Sequence, residues 1–301
     1  MSENKSYYLQ LHFIILISSL TPSINKLINL TSLEIVFYRT LIATLIFGGY
    51  VFIKKLNIRL EQRLIAELLI VGLITAVYWT LHALAAKIAN SSVTLVGVAT
   101  SPLWVSVINP IITNKRMDYY QILTGVCAVF GVYMIFGAGF EYGLGLLIAM
   151  VAAFFGALIT VLNAQFAKSQ NLYVVSFYQM SGAWVGSILM FPFFNYFNNT
   201  SLHTPNTLDI LLIIFIAFAS SIYGYSVLIK VMRLISPFTV VLVSNLAPVY
   251  GMIAALLIYG KSEMMNMYFY AGTFVILFSV VAYPLMEMAA KYRIAKETAV
   301  K

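Results

Sequence analysis

Residues 93–110, VTLVGVATSPLWVSVINP, indicate how the chain folds, because a related stretch occurs in the second half, at residues 239–256, TVVLVSNLAPVYGMIAAL. Both stretches are apolar enough to cross a bilayer, and each contains a proline after a small residue, Pro102 or Pro248. Proline removes a backbone N–H and frees a carbonyl, which in lipid must be satisfied by packed helices or water. We therefore interpret the two stretches as paired broken helices along a permeation pathway.

The composition indicates an integral membrane protein. Of the 301 residues, 61% are hydrophobic and 9% are charged, whereas about a quarter of a soluble protein is charged. The apolar residues form unbroken runs of about twenty, the length of a membrane-spanning helix, rather than the alternating pattern of barrel strands. The net charge of +8 comes from basic residues in short loops, so we expect the lipid bilayer as a partner and no nucleic acid.

Ten apolar runs follow one another, so we expect an all-α integral membrane fold with ten transmembrane helices. The first run is expected to be a retained span, because no small-residue cleavage pattern follows it as in a signal peptide. The ten runs cover residues 9–28, 34–53, 65–87, 92–113, 119–138, 142–167, 173–194, 208–232, 237–259 and 267–288.

The distribution of lysine and arginine predicts the orientation of these spans. If both termini lie in the cytoplasm, Lys26, Lys87 and Lys261 are the loop cations left on the outer side, and the other loop cations fall inside. Cytoplasmic loops of membrane proteins carry the excess of positive charge, so the opposite orientation is disfavoured. The sequence therefore predicts a multi-pass protein of the plasma or inner membrane with both termini cytoplasmic.

An internal repeat extends beyond the two proline-containing stretches. Alignment of the two prolines also brings Lys87 onto Arg233, and residues 37–39, FYR, pair with residues 177–179, FYQ, at a slightly shorter offset. Chance similarity between apolar segments is the alternative, but self-similarity over such a long period is typical of repeated units. We expect a first repeat in residues 1–138, and a second repeat with a short basic cytoplasmic tail in residues 139–301.

Each predicted repeat holds five spans, and this odd number fixes the relation between the two halves. The second repeat must enter the membrane from the side opposite the first, so the repeats are inverted. The charges agree, because the loop after span two is basic and its counterpart after span seven carries no lysine or arginine. Inverted repeats recur in secondary transporters, where two similar halves open one site to either face.

Four features of the chain occur together in one known family: the ten-span arrangement, residues 37–39 (FYR), the serines and Ser-Pro step of residues 91–102, and residues 260–263 (GKSE) before Gly272. In these features the chain resembles the EamA family of the drug/metabolite transporter superfamily. The resemblance implies that spans one to four and six to nine surround a central pathway while spans five and ten pack at the side. It also implies export of amino acids or other metabolites.

Arg39 is the basic residue that lies well inside a predicted span. Charged side chains within a bilayer are costly and usually functional. A guanidinium at this depth can hold a substrate carboxylate or phosphate through two parallel hydrogen bonds. The alternative is structural, with Arg39 pairing with Glu34 or helix carbonyls, or reaching outward to the interface.

His82 is the second chemical candidate, because imidazole titrates near neutral pH and suits a proton-coupled step. A hydrogen-bonded structural histidine is the alternative. Polar and aromatic neighbours can contact a substrate or instead bond between helices. The predicted substrate-binding residues are Arg39, Tyr38, Trp79, His82, Asn25, Gln179 and Asn245, and the predicted gating prolines are Pro22, Pro102 and Pro248.

These features together predict a secondary active transporter, an exporter, that moves a small organic metabolite such as an amino acid or other carboxylate by alternating access. The alternatives are an intramembrane lipid-processing enzyme and a non-catalytic receptor or assembly subunit. No GxxxxGK[ST], HExxH or GxSxG motif occurs and the three histidines are far apart, so we expect no enzyme activity, cofactor or metal site. The expected partner is a small-molecule substrate, and the sequence leaves a homodimer open.

Overall fold

A computed structural model describes residues 2–136, 142–198 and 202–299, and these residues are largely helical. Spans one, four and nine are each broken into two segments, and span eight contains a π-helical segment. The bounds are Ser2–Ser18 and Thr21–Leu27 for span one, Ser32–Ile53 for two, Gln62–Ile88 for three, Ser91–Val98 and Ser101–Thr113 for four, Tyr119–Phe136 for five, Gly143–Ser169 for six, Leu172–Asn198 for seven, Thr207–Ile216, Ala217–Gly224 (π) and Tyr225–Val231 for eight, Pro237–Ser244 and Ala247–Tyr259 for nine, and Met267–Ala299 for ten.

The predicted fold class is confirmed. In the described part of the chain, 9 helices are long and apolar enough to cross a membrane, and Tyr119–Ile135 is a shorter apolar helix in the place of span five. The last helix continues past the predicted end at residue 288 as far as Ala299. The predicted boundary between repeats, after residue 138, lies outside the described residues.

Lys87 and Arg233 occupy equivalent positions in the two repeats and lie at opposite ends of the bundle, which we call the Lys87 end and the Arg233 end. Lys87 Nζ donates to the Ile28 carbonyl at 2.6 Å. Arg233 Nε donates to the Ala167 carbonyl at 2.9 Å, and its Nη2 donates to the Gln170 carbonyl at 3.3 Å. Each cation thus lies at the carboxyl end of the first span of its own repeat, where the helix dipole favours positive charge.

The breaks in spans four and nine follow the same register. Ser91–Val98 and Pro237–Ser244 are the first segments, Ser101–Thr113 and Ala247–Tyr259 are the second segments, and every bound in span nine lies 146 residues after its counterpart in span four. This agreement means that the two stretches share their helix limits as well as their sequence pattern, as expected of repeated units.

The break in span four leaves its backbone carbonyls satisfied within the protein. Pro102 lacks the N–H that would bond to the Val98 carbonyl in an unbroken helix. The Ser101 hydroxyl donates to that carbonyl at 2.7 Å instead, and the Ala99 carbonyl accepts from Asn245 Nδ2 at 3.0 Å. Both contacts fit the rule that a helix is broken inside a membrane where protein groups replace the lost bonds.

Spans five and ten pack against each other through glycine. A Cβ atom placed on Gly131 would lie 2.6 Å from the Gly272 carbonyl oxygen, and a Cβ on Gly272 would overlap the Gly131 carbonyl. The two backbones are therefore almost in contact, as at the small-residue interfaces of membrane helices. This pair lies away from the central cavity described below.

Candidate substrate cavity

A central cavity of about 220 Å³ lies among spans one, two, three, four, six, eight and nine. Its lining includes Thr21, Ala99 and Asn245, so the cavity is located where the three broken helices interrupt their backbone. Span seven contributes no lining residue in the described structure, although Gln179 on this span contacts the cavity wall from behind. More than half of the remaining lining residues are aliphatic or aromatic, which suits a small, partly apolar ligand.

Arg39 lies at the wall of this cavity and is 2% exposed. Its Nε donates to Ser221 Oγ and its Nη2 donates to Ser220 Oγ, both at 2.9 Å. The guanidinium carbon lies 3.9 Å from the centre of the Trp79 ring, a cation–π contact. Arginine has five N–H donors, so the two serine bonds leave donors for a ligand.

The π-helical segment of span eight explains how two adjacent serines reach the same guanidinium. Residues Ala217–Gly224 are wound more widely than an α-helix, and Ser220 and Ser221 lie in the middle of this segment. Such π segments are rare and are frequently found at functional sites. Sequence reasoning missed both serines, and the signal available was a Ser-Ser pair within an otherwise apolar span.

Glu34 binds other partners than Arg39. Its carboxylate accepts the Thr31 backbone N–H at 2.7 Å, the His203 backbone N–H at 2.6 Å and a contact from His203 Nδ1 at 2.9 Å. Within residues 2–136, 142–198 and 202–299, no carboxylate lies within ion-pair distance of Arg39. The guanidinium therefore lies at the cavity wall without an anionic neighbour from the described chain.

Trp79 connects Arg39 to a hydrogen-bonded triangle of three spans. The Trp79 ring meets the Tyr225 ring edge-on, with centroids 6.1 Å apart. The Tyr225 hydroxyl donates to Gln179 Oε1 at 2.8 Å, Gln179 Nε2 donates to Asn163 Oδ1 at 2.6 Å, and Asn163 Nδ2 donates back to the Tyr225 oxygen at 3.0 Å. Spans six, seven and eight are thus joined by a closed ring of hydrogen bonds behind the cavity.

The structure brings four of the predicted substrate-binding residues to the cavity wall and places three elsewhere. His82 lines the cavity beside Tyr78, with ring centroids 5.9 Å apart. Tyr38 donates its hydroxyl to the His203 carbonyl at 2.8 Å. Asn25 is fully buried, and its amide has no hydrogen-bond partner among the residues that the structure describes. The residues at the wall are Arg39, Trp79, His82 and Asn245, and those outside it are Tyr38, Asn25 and Gln179.

The three predicted gating prolines share one position. Pro22, Pro102 and Pro248 are each the second residue of the segment that resumes the helix after a break. Proline is well tolerated there, because the first turn of a helix has no partner for the missing N–H. Their positions fit helix breaks, and their part in gating stays a prediction.

Several cavity hydroxyls have already used their one donor. Thr75, Thr160 and Ser244 each donate to the carbonyl four residues earlier in their own helix, at 2.8, 2.8 and 2.9 Å. A hydroxyl has one donor and two acceptor lone pairs, so these oxygens offer acceptors to a ligand. The cavity therefore presents donors at Arg39 and acceptors on its other walls.

Among the side chains that the structure describes, no group of three His, Cys, Asp or Glu could hold a metal ion.

Two repeats of five helices around a cavity at interrupted helices are the plan of a class of membrane transporters. The model of the EamA-like transporter family matches residues 6–137 and 143–283, so the chain belongs to this family, within the drug/metabolite transporter superfamily. Membership suggests a multi-pass membrane transporter rather than an enzyme. A comparison with curated proteins found no match.

A solved structure supports the fold. This structure, titled "Crystal structure of protein", has a TM-score of 0.68 and 16% sequence identity, and the match covers 94% of this chain and 98% of that chain. At this level of identity the likeness concerns the helical architecture alone.

Proposed function

We propose that the protein is a secondary transporter that exports a small organic acid, such as an amino acid, by alternating access. The observation that carries this proposal is Arg39, a buried cation at the wall of a central cavity with no carboxylate neighbour in the described chain. The family match supports a transporter, and the cavity chemistry supports the substrate class.

The energetics of Arg39 favour an anionic substrate. A charged side chain at the centre of a membrane helix costs about 2.5 to 3.5 kcal/mol on insertion scales. Two serine hydroxyls and the Trp79 ring offset part of this cost, but they carry no negative charge. A substrate carboxylate supplies that charge and accepts two parallel N–H bonds from the guanidinium, so binding neutralises a buried cation.

A second substrate group is suggested by the acceptor-rich walls. Thr75, Thr160 and Ser244 can accept hydrogen bonds from an ammonium or a hydroxyl group. An α-amino acid carries both groups that the cavity is suited to bind, with aliphatic walls left for its side chain. The volume of about 220 Å³ lies below the usual range of drug-sized pockets, which supports a small metabolite.

The orientation belongs to the same proposal. With both termini in the cytoplasm of a plasma or inner membrane, the Arg233 end faces the cytoplasm and the Lys87 end faces outward, in agreement with the excess of basic residues in cytoplasmic loops. The substrate would then enter from the Arg233 end and leave at the Lys87 end.

A flux assay tests the proposal. Thermal-shift screening of amino acids and other organic acids identifies a ligand, since binding to the native state raises its stability. Proteoliposomes loaded with that ligand should show saturable flux that Arg39→Gln abolishes. Arg59→Gln is the control: it also removes one positive charge, but at an exposed loop residue, and should leave flux unchanged. Undiminished flux in a folded Arg39→Gln protein would reject Arg39 as the substrate site.

A further inference from the structure

Equivalent residues of the two repeats meet at the centre of the molecule. Trp79 and Tyr225 are 146 positions apart, the offset that relates spans three and four to spans eight and nine. Arg39 and Gln179 are paired by the matching residues 37–39 and 177–179. In each repeat the polar side chain contacts the aromatic one: Arg39 lies over Trp79, and Gln179 accepts from the Tyr225 hydroxyl. The pseudo-two-fold axis therefore passes between the two rings.

The first span of each repeat supplies a third equivalent position. The residues that cap the carboxyl ends of spans one and six are 142 positions apart. On that offset Asn163 corresponds to Thr21, and Thr160 corresponds to Ser18. Thr160 and Ser18 both line the cavity, which supports the alignment of the two helix faces. Thr21 is thus the counterpart of the asparagine that completes the hydrogen-bonded triangle in the second repeat.

The hydrogen bonds of Arg39 and of its counterpart Gln179 differ between the two repeats. In the second repeat, Gln179 donates to Asn163 within its own repeat. In the first repeat, Arg39 donates across the repeat boundary to Ser220 and Ser221. Thr21 lines the same cavity and is 7% exposed, and the described structure shows no hydrogen bond between it and Arg39.

We propose that Thr21 is the second partner of Arg39, which takes the place of Ser220 and Ser221 when the transporter exposes its site to the other face. This inference rests on the proposed function. In a transporter of inverted repeats, the opposite-facing state follows when each repeat adopts the arrangement of the other. In that state the first repeat should therefore adopt the hydrogen-bonded arrangement that the second repeat has in this structure, with Arg39 bonded to Thr21. Thr21 acts as a positioning residue through Arg39.

Two cysteine reporters can measure the balance between the states without a substrate. Leu95 and Val241 are 146 positions apart and both line the cavity, and they lie on the first segments of spans four and nine, which enter from opposite ends. Leu95→Cys and Val241→Cys are introduced separately into a Cys127→Ala background, which removes the native thiol. The ratio of their labelling rates by a membrane-impermeant thiol reagent, applied at each end, reports the relative population of the two states.

The proposal predicts opposite shifts of this ratio. Thr21→Val keeps the side-chain volume, removes the hydroxyl and should favour the state seen here. The double change Ser220→Ala and Ser221→Ala should favour the other state. The Thr21→Val shift should be about tenfold, the effect of one hydrogen bond to a charged group. The shift in the double serine variant should be larger, because two bonds to Arg39 are lost. Thr21→Ser, which keeps the hydroxyl, should restore the wild-type ratio.

A matched control separates this effect from general loss of a threonine hydroxyl. Thr124 lies on span five, is buried and donates to its own helix at 2.7 Å, so Thr124→Val should leave the labelling ratio unchanged. An unchanged ratio in Thr21→Val, or a shift in the same direction as the double serine variant, would overturn the proposal. If Arg39→Gln abolishes flux while these shifts are absent, the exchange of Arg39 partners is rejected and the proposed substrate site is retained. If the shifts appear while Arg39→Gln transports normally, the proposed substrate site is rejected and the exchange of partners is retained.

Discussion

Asn245 Nδ2 donates to the Ala99 carbonyl at 3.0 Å, and the two residues occupy equivalent positions, 146 apart, at the breaks of spans nine and four. One side chain thereby joins the two interrupted helices at the cavity wall. The bond satisfies a carbonyl that would otherwise be left at a helix break, where an unmatched polar group is costly in a buried setting.

This contact predicts a loss of stability in Asn245→Ala. Removal of the amide leaves the Ala99 carbonyl without its partner, which should lower the free energy of unfolding by about 1 to 3 kcal/mol. The thermal unfolding midpoint of the purified protein in detergent measures the change. Asn29→Ala is the control and should stay near the wild-type midpoint, because Asn29 is an exposed loop residue that bonds to Asp209 through its backbone N–H, which alanine keeps. Equal midpoints for the two variants would contradict a stabilising role of Asn245.

The hydrogen-bonded triangle makes a second prediction at Tyr225. Tyr225→Phe keeps the edge-on contact with Trp79 but deprives Gln179 and Asn163 of the hydroxyl, so the unfolding free energy should fall by about 1 to 3 kcal/mol. Ligand affinity should change less than in Trp79→Leu, because the ring that supports Trp79 remains. Measured midpoints and dissociation constants check both parts, and a midpoint equal to that of wild type would show that the triangle adds no stability.

Trp79 itself can report ligand binding. The chain has 3 tryptophans, so Trp104→Phe together with Trp184→Phe leaves Trp79 as the emitting residue. A carboxylate that binds Arg39 places an anion beside a guanidinium whose carbon lies 3.9 Å from the centre of the Trp79 ring. The Trp79 fluorescence should therefore change as ligand is added and reach a plateau when the site is full. The response should disappear when Arg39→Gln is added to this background. A response that survives Arg39→Gln would place the ligand at another part of the cavity.

The limits of sequence reasoning appear at particular residues. The ten spans and the breaks before Pro102 and Pro248 could be predicted, because apolar length and proline chemistry are local signals. The position of Gln179 behind the cavity wall could not be predicted. A membrane helix is apolar toward lipid as well as toward protein, so its hydrophobic pattern does not fix the rotation of the helix about its axis. Ser220 and Ser221 depend on a π segment, which carries no comparable sequence pattern.

The cations at the two ends of the bundle provide the last prediction. Lys87 is half-buried and lies near the carboxylates of Asp209 and Glu34, whereas Arg233 is exposed. A cation at a helix carboxyl end stabilises by about 0.3 to 1 kcal/mol when exposed and by up to about 2 kcal/mol when partly buried. Lys87→Met should therefore lower the unfolding midpoint more than Arg233→Met does. Added salt should reduce the Arg233 effect more than the Lys87 effect, because exposed charges are screened more strongly.

Lys261→Met, an exposed loop lysine at the Lys87 end, controls for the loss of one positive charge there and should have little effect. If Arg233→Met proved as destabilising as Lys87→Met at every salt concentration, burial and the two neighbouring carboxylates would not be the cause of the difference. The equivalence of the two positions would then extend from geometry to energy, and the two repeats would contribute equally to holding the first span of each half in place.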